Sequence, residues 1–386
     1  MKFQFLAEIQ VFKMSNICII SANSLENENA SRNRVLSFVN SFIAAGHQVK
    51  LISMDNEAFN LLENENFTHF KIPFIDTKIP SFIKRAFLEM KIASLALNKA
   101  NELNCDINLI TIPSMFLLHL SFLLKTGKTK ILDIRDLSWE YLDEKSLVNR
   151  TAKKIFTQSA LLNLKRFDIV SVTNDHEFDY VSKNKSDSQS IIKVPNGVSL
   201  SIFEKLENIK CNTTNKFTIT YVGNVGLAQD LETLVEASKL LPDFIFNIVG
   251  AGTDFERIHT LANPNQQNLN FLGRRQFNEL LEIYTQSDVL YAQLTPEFAT
   301  AMPSKLYEYL STGKYVLYGG VGVAGKTLEN FQNVSLIPPC NILALKDEIQ
   351  QIQESGKYQQ LCVENREKIK AEYLRDVTVE KLISMI

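Results

Sequence analysis

The sequence predicts an α/β protein of two lobes, each a parallel sheet covered by helices. Three observations predict it. Short apolar runs alternate with helical segments almost from end to end, the pattern of sheets buried on both faces. The alternation forms two series, divided by a polar region around Pro195, Asn196 and Gly197 that reads as a turn. The 386 residues exceed one ordinary domain, at roughly 100–200 residues each. The boundary is placed near 200, giving lobes at 1–200 and 201–365.

The first series opens with a strand at "NICIISA" (16–22), a helix at "RNRVLSFVNSFIAAG" stopped by Gly46, and a strand at "HQVKLIS". It continues through "INLITI", "KTKILDIRD" and "FDIVSVTN". The stretch 107–124 contains Asn108, Pro113, Ser114 and His119 and falls short of the roughly 20 apolar residues needed to span a bilayer, so it reads as a strand, a turn and a core helix. The second series runs "FTITYVGNVG", "DLETLVEASKLL", "FIFNIVGAG", "NLNFLG", "FNELLEIYTQS", "DVLYAQL" and "ATAMPSKLYEYLSTGKYVLYGG" (299–320). Charged amphipathic helices close the chain and fit either lobe.

Composition narrows the function classes. Hydrophobic residues make up 45% and charged residues 22%, the balance of a globular protein with sizeable cores. A formal net charge of −2 argues against a nucleic-acid partner, which demands a clear basic excess. Five cysteines without C-x-x-C spacing indicate neither a zinc site nor a disulfide framework, and fit a cytoplasmic location. Glu8 and Gln10 interrupt any apolar leader, and residues 1–13 read either as fold or as an upstream-start extension.

Ligands of such sheets bind beyond the carboxyl ends of the strands, so the loops after strands hold the candidates. Gly223 and Asn224 leave one strand of the second lobe, Gly250 and Gly252 a second, and Gly273 with Arg274 and Arg275 a third. Such glycines serve either a tight turn or the close approach of backbone N–H groups to a phosphate. In "PSKLYEYL", Ser304, Lys305 and Glu308 share one helical face, and Leu306 and Leu310 the other. A lysine in the first turn opposes the positive end of the helix dipole, and an anion placed there removes the conflict. The same face also reads as an ordinary solvated surface. Asp136 and Arg135, at the end of "ILDIRD", close a first-lobe strand, where they read either as facing a ligand or as a surface pair capping the next helix. In "NDHEFD", Asp175 reads as a helix cap ahead of a metal ligand. Residues 78–100 put Lys84, Arg85 and Lys91 on a helix with Phe82, Phe87, Leu88 and Met90; this is either a core helix with a solvated face or a basic amphipathic helix against an anionic bilayer.

Taken in order, "ILDIRDLSWE", "VPNGV", "YVGNVGLAQDL", "IVGAGTDFE", "FLGR" and "MPSKLYEYLSTGK" resemble the retaining nucleotide-sugar glycosyltransferases of family 4 (group 1). The likeness covers roughly residues 15–380 and is strongest to bacterial enzymes of O-antigen and capsule synthesis, including N-acetylfucosamine transferases. No one motif is specific; their order is.

The resemblance implies a GT-B fold, two Rossmann-like lobes facing a cleft, with the terminal helix 366–386 crossing back to the first lobe. It implies a UDP-sugar donor on the second lobe and a lipid-linked or saccharide acceptor on the first, in an enzyme that needs no cofactor; the absence of a D-x-D motif fits a metal-independent one. Glu308 matches the ribose-binding glutamate, Ser304 and Lys305 the diphosphate segment, and Gly223 and Asn224 the loop beneath the diphosphate. In the related enzymes the region of Asp136 lies near the reacting sugar, which implies that Asp136 contacts an acceptor or sugar hydroxyl, with Arg135 as its partner or a phosphate contact. The sequence departs from the pattern at Thr300, where the first of two paired acids belongs, in the lack of a basic pair within "GNVGLAQDL", and in "SANSLENENASRNR" after the first strand. Lys305, with Arg274, then carries more of the phosphate charge. A lipid-linked acceptor implies peripheral contact with the inner face of the membrane through 78–100. A UDP-sugar 2-epimerase of the same fold and a non-enzymatic sugar-binding protein are the alternatives.

Overall fold

The computed structural model of the chain describes residues 14–26, 29–73, 82–140, 147–214, 216–263 and 265–386. The chain divides into two compact units: 1–173 with 177–194 and 379–386, and 174–176 with 195–378.

The first unit holds a seven-stranded, all-parallel sheet of order β3-β2-β1-β4-β5-β6-β7. Its strands are β1 (Asn16–Ile20), β2 (Gln48–Ser53), β3 (Phe67–Lys71), β4 (Ile107–Ile112), β5 (Thr129–Ile134), β6 (Ile169–Val172) and β7 (Ser190–Lys193). Its helices are α1 (Ala30–Ala44), α2 (Phe82–Leu103), α3 (Met115–His119), α4 (Leu147–Leu164) and α5 (Asp175–Asn184), whose first two residues lie in the other unit. Two cores lie on the two faces of the sheet. One joins Cys18, Ile20, Ile110 and Leu132 to Ile92 and Leu97 of α2, Leu117 of α3 and Ala160 and Leu164 of α4. The other joins Ile17, Ile19, Leu109 and Ile131 to Phe38 and Phe42 of α1 and to Val379, Leu382 and Ile383.

The second unit has a six-stranded, all-parallel sheet of order β10-β9-β8-β11-β12-β13. The strands are β8 (Thr218–Val222), β9 (Ile245–Val249), β10 (Leu269–Gly273), β11 (Val289–Gln293), β12 (Tyr315–Gly319) and β13 (Val334–Ile337). The helices are α6 (Leu200–Leu206), α7 (Glu232–Leu240), α8 (Phe255–Leu261), α9 (Phe277–Thr285), α10 (Ser304–Thr312), α11 (Val323–Leu328), α12 (Ile342–Ser355) and α13 (Val363–Glu372). The last helix, α14 (Arg375–Ile383), begins in this unit, where Arg375 donates to the carbonyls of Asn196 (3.0 Å) and Gly197 (2.9 Å).

Every residue of β4, β8, β11 and β12 is buried, as expected of central strands covered on both faces. The edge strands β3, β7, β10 and β13 are only partly covered. The core helix expected after Pro113 is short: α3 ends at His119 and a 3-10 turn follows at Ser121–Leu123. Residues 1–13, for which an upstream start is one reading, and 78–81 of the basic segment lie outside the described residues. Among the described residues no helix is long and apolar enough to cross a membrane.

Candidate functional site

In the second sheet the strand order reverses between β8 and β11, and the crevice beyond such a reversal is where open α/β sheets bind ligands. Three glycine loops and the start of α10 meet at this end. The loop after β8 folds back so that Tyr221 Oη donates to the carbonyl of Asn224 (2.6 Å). The loop after β9 lies directly against it: Val225 N–H reaches Ala251 O (3.1 Å) and Asp254 N–H reaches Val225 O (3.0 Å). Gly250 has φ +150°, and a Cβ there would collide with the carbonyl of Gly223. This packing, not ease of turning alone, requires the glycine. Gly250 N–H in turn donates to Gly273 O (2.9 Å), which sets the β10 exit alongside.

Helix α10 is anchored to the same place by a tyrosine. Tyr309 Oη accepts the N–H of Val222 (2.7 Å) and donates to its carbonyl (3.1 Å), so the helix is bonded to the last residue of β8. The first turn contains no acid, and Pro303 supplies no side-chain cap. First-turn N–H groups have no intrahelical partner. The other end is well served: Gly313 (φ +71°) closes the helix and Arg366 donates to Thr312 O (2.5 Å) and Ile209 O (2.9 Å). The dipole is thus complemented by a cation at its carboxyl end and by nothing acidic at its amino end.

Lys305 Nζ lies 2.6 Å from Glu308 Oε2, with side chains 30% and 14% exposed, so both can still meet a ligand. Glu308 also accepts from Tyr284 Oη (3.4 Å), and the ring of Tyr284 meets Tyr309 edge-on at 6.0 Å. Burial, with the Glu308 carboxylate beside it, raises the Tyr284 phenol well above its ordinary range and keeps it a donor. Ser304 is half-buried at the first helical position. Arg274 is exposed, with no hydrogen bond or ion pair among the described residues, whereas Arg275 pairs with Glu279 (3.2 Å).

Residues outside the sequence motifs build the floor. Gln293, buried at the end of β11, donates through Nε2 to Asp230 O (2.9 Å), Gln229 O (3.2 Å) and Thr233 Oγ1 (3.1 Å). Its Oε1 accepts from Tyr291 Oη (2.8 Å) and from the N–H of Cys340 (3.0 Å). Every polar atom of this amide is used, which fixes the β8, β11 and β13 exits together. Gly322 (φ +77°) packs against the carbonyl of Ala299, to which Val323 N–H donates (2.8 Å), setting the segment before α10. In that segment Glu297 is exposed and Thr300 half-buried.

The structure therefore gathers Gly223, Asn224, Gly250, Gly252, Gly273, Arg274, Ser304, Lys305 and Glu308 at one end of one sheet. Asp136 and Arg135 belong to the first unit. There Asp133 is fully buried and held by Arg34 through both oxygens (2.9 and 2.5 Å), by Thr111 and by Ser171, a structural use of that acid. Arg135 donates Nε to Ile112 O (3.0 Å); desolvation, opposed by Asp133 and Asp136, lowers it to about 10, so it remains a cation. Glu177 is buried and accepts from Thr173 N–H (2.6 Å) and Oγ1 (2.9 Å), and burial pushes its carboxyl up to about 7. Asp175 is the first residue of α5. Among the described residues no group of three or more His, Cys, Asp or Glu side chains is placed to hold a metal ion.

Residues 203–369 match the family model for glycosyl transferases group 1. A colanic acid biosynthesis glycosyl transferase of Escherichia coli K12, WcaI, is 25% identical over 211 residues, 51% of each chain, so the match spans about half the length of that curated relative. Among solved structures, the sucrose-phosphate synthase of Thermosynechococcus elongatus superposes with a TM-score of 0.76 at 16% identity, over 97% of this chain and 98% of that one. HepE of Anabaena in complex with UDP and glucose superposes with a TM-score of 0.68 at 14% identity, over 97% and 99%. Likeness over the full length, with two parallel-sheet units, shows that the fold is GT-B.

Proposed function

We propose that the chain is a retaining glycosyltransferase that moves an N-acetylated hexosamine or deoxyhexosamine from a UDP-sugar to a lipid-linked or saccharide acceptor in surface polysaccharide synthesis. The observation that carries the proposal is the acid-free first turn of α10, with Lys305 and Glu308 on its open face, bonded through Tyr309 to the glycine loop after β8. The family match over 203–369 and the likeness to a protein crystallised with UDP support it.

In this reading the diphosphate lies over the first-turn amides and draws Lys305 away from Glu308, with Arg274 as a second cation. Glu308, released from the lysine, accepts from the ribose hydroxyls. The bond from sugar C1 to the phosphate oxygen breaks, and the acceptor oxygen forms the new bond to C1 on the same face. The departing phosphate takes the acceptor's proton, so no enzyme carboxylate acts as nucleophile. Asp136 and Arg135 hold acceptor or sugar hydroxyls. Preorganised charge at the leaving group is commonly the largest catalytic contribution, and one donor is typically worth about 10²–10³ in rate. The reaction proceeds without a metal ion and at the cytoplasmic face of the membrane, reached in part through 78–100.

A thermal-shift panel of nucleoside diphosphates and their sugars tests the donor site. At about 100 times its Kd a ligand contributes about 2.7 kcal/mol of stability. UDP is expected to raise the melting temperature, and Lys305→Ala to remove most of that rise; an unchanged response in the variant refutes the phosphate assignment. Incubation of donor without acceptor should give slow hydrolysis and no C2 epimer, and turnover with acceptor should persist in EDTA.

A further inference from the structure

Two of the glycine loops in the second unit run straight into helices that begin with acids. The loop after β8 leads to α7, which has Glu232 in its first turn, and the loop after β9 leads to α8, which has Asp254 at its N-cap. Each carboxylate stands at the amino end of a helix, where it takes up the positive charge that an anion would otherwise meet. Asp254 follows Gly252 by two residues, and its N–H donates to Val225 O (3.0 Å) in the β8 loop. Two negative charges beside these loops oppose the binding of a diphosphate.

One side chain meets both. Arg257 donates Nε and Nη2 to the two oxygens of Asp254 (2.8 Å each) and Nη1 to Glu232 Oε2 (2.5 Å). The fork on Asp254 is the strong, bidentate form of such a contact. An N-cap aspartate ordinarily accepts an N–H of its own helix, but Asp254 makes no side-chain cap bond. Its carboxylate, 5% exposed, is turned onto Arg257 instead. We propose that Arg257 is a positioning residue of the donor site, acting through these two acids. It draws Asp254 and Glu232 onto itself and offsets their charge, so that a diphosphate meets the α10 amides, Lys305 and Arg274 with less opposition. This rests on the donor-site reading and adds to it a residue that acts without touching the ligand.

Titration calorimetry with uridine, UMP and UDP at low ionic strength, where charges are little screened, tests the role. A merely structural tie between α7 and α8 would weaken all three ligands alike, or none. Arg257→Met is expected to weaken UDP by about tenfold, UMP by less and uridine by less than about twofold, because one positive charge lost about 10 Å from a ligand of about three negative charges is worth roughly that much in water. Glu232→Gln, at a side chain 44% exposed, leaves Arg257 in excess and should tighten UDP several-fold without moving uridine. Arg257→Met combined with Asp254→Asn and Glu232→Gln removes the cation together with both acids, and should bind UDP at least as tightly as the wild type.

Equal losses of uridine and UDP in the Arg257 variant, an unchanged UDP affinity in it, or a triple variant as weak as the single one overturns the assignment. Should Arg257→Met fail to fold, Glu232→Gln decides alone, and an unchanged UDP affinity there refutes the role. Wild-type protein that does not bind UDP sinks the donor-site reading and takes this one with it. UDP binding that the Arg257 and Glu232 variants leave unmoved sinks this one only.

Discussion

Glu308 has two partners in the structure, the Lys305 ammonium at 2.6 Å and the Tyr284 hydroxyl at 3.4 Å, and only the first must leave when a diphosphate binds. Tyr284 is fully buried and stays, so under the proposed function it would hold the carboxylate in place for a ribose. Glu308→Ala should therefore weaken UDP binding by roughly 1.5–3 kcal/mol, the range for hydrogen bonds to a charged group. The same change should leave the affinity for 2′,3′-dideoxy-UDP nearly unaltered. Titration calorimetry with both nucleotides decides the matter, and equal losses on the two would show that Glu308 does not meet the ribose. The polar face of Ser304, Lys305 and Glu308 was legible because i, i+3 and i+4 spacing is local. Tyr284, Gln293 and Tyr309 were not: each reads as an apolar-face or strand residue, and the Val222 partner of Tyr309 lies 87 positions away.

At the scale of elements, the proposed donor end depends on two close approaches. One is the bond pair between Tyr309 and the backbone of Val222, which fixes the azimuth of α10 against β8. Tyr309→Phe keeps the ring and its packing but leaves the Val222 N–H without this partner, a loss of about 1–3 kcal/mol. Chemical denaturation should register it with little change in the dependence on denaturant, and UDP affinity should fall as well because the first turn of α10 is no longer held. The other approach is Gly250 against Gly223. Gly250→Ala forces the two glycine loops apart, so UDP binding should be lost while the far-ultraviolet circular dichroism is retained; unimpaired UDP binding would show that the loops do not hold the nucleotide. The central strands were legible as mostly apolar runs such as "INLITI" and "DVLYAQL". Of the edge strands, which pair on one side only and need no such run, β10 was legible in "NLNFLG", whereas β3, β7 and β13 escape a reading based on hydrophobicity. The glycine exits were visible, but their mutual contact is a property of strand order, which the sequence does not state.

For the whole molecule, each unit has its own cores and buried groups that titrate far from their usual range, Glu177 in the first and Lys314 in the second among them, so variants of these two should change the pH dependence of stability in separate windows. In the first unit burial raises the Glu177 carboxyl from 4.5 to about 7. Between those values the folded protein keeps a proton that the unfolded chain has released, so the contribution of Glu177 to stability falls as pH rises through that window, opposed by that of His119, which burial lowers from 6.5 to about 4. In the second unit Lys314, donating to Thr285 O (3.0 Å) and Ser287 O (2.6 Å), is lowered by burial from 10.5 to about 8. There the unfolded chain holds the extra proton, so the contribution of Lys314 to stability rises with pH between about 8 and 10.5, opposed above about 9 by that of Cys340, which burial raises from 9.0 to about 11. Each unit of difference corresponds to about 1.4 kcal/mol, which makes either contribution on the order of 3 kcal/mol. Glu177→Gln should make the slope of unfolding free energy with pH more positive between pH 4.5 and 7 and leave the alkaline slope alone. Lys314→Met should make the slope more negative between about 8 and 10.5 and leave the acid side alone, because groups in separate cores without shared partners act additively. Denaturant titrations across pH for the two variants and their double mutant make the check. A change in the acid-side slope of the Lys314 variant would mean that the two units do not titrate independently.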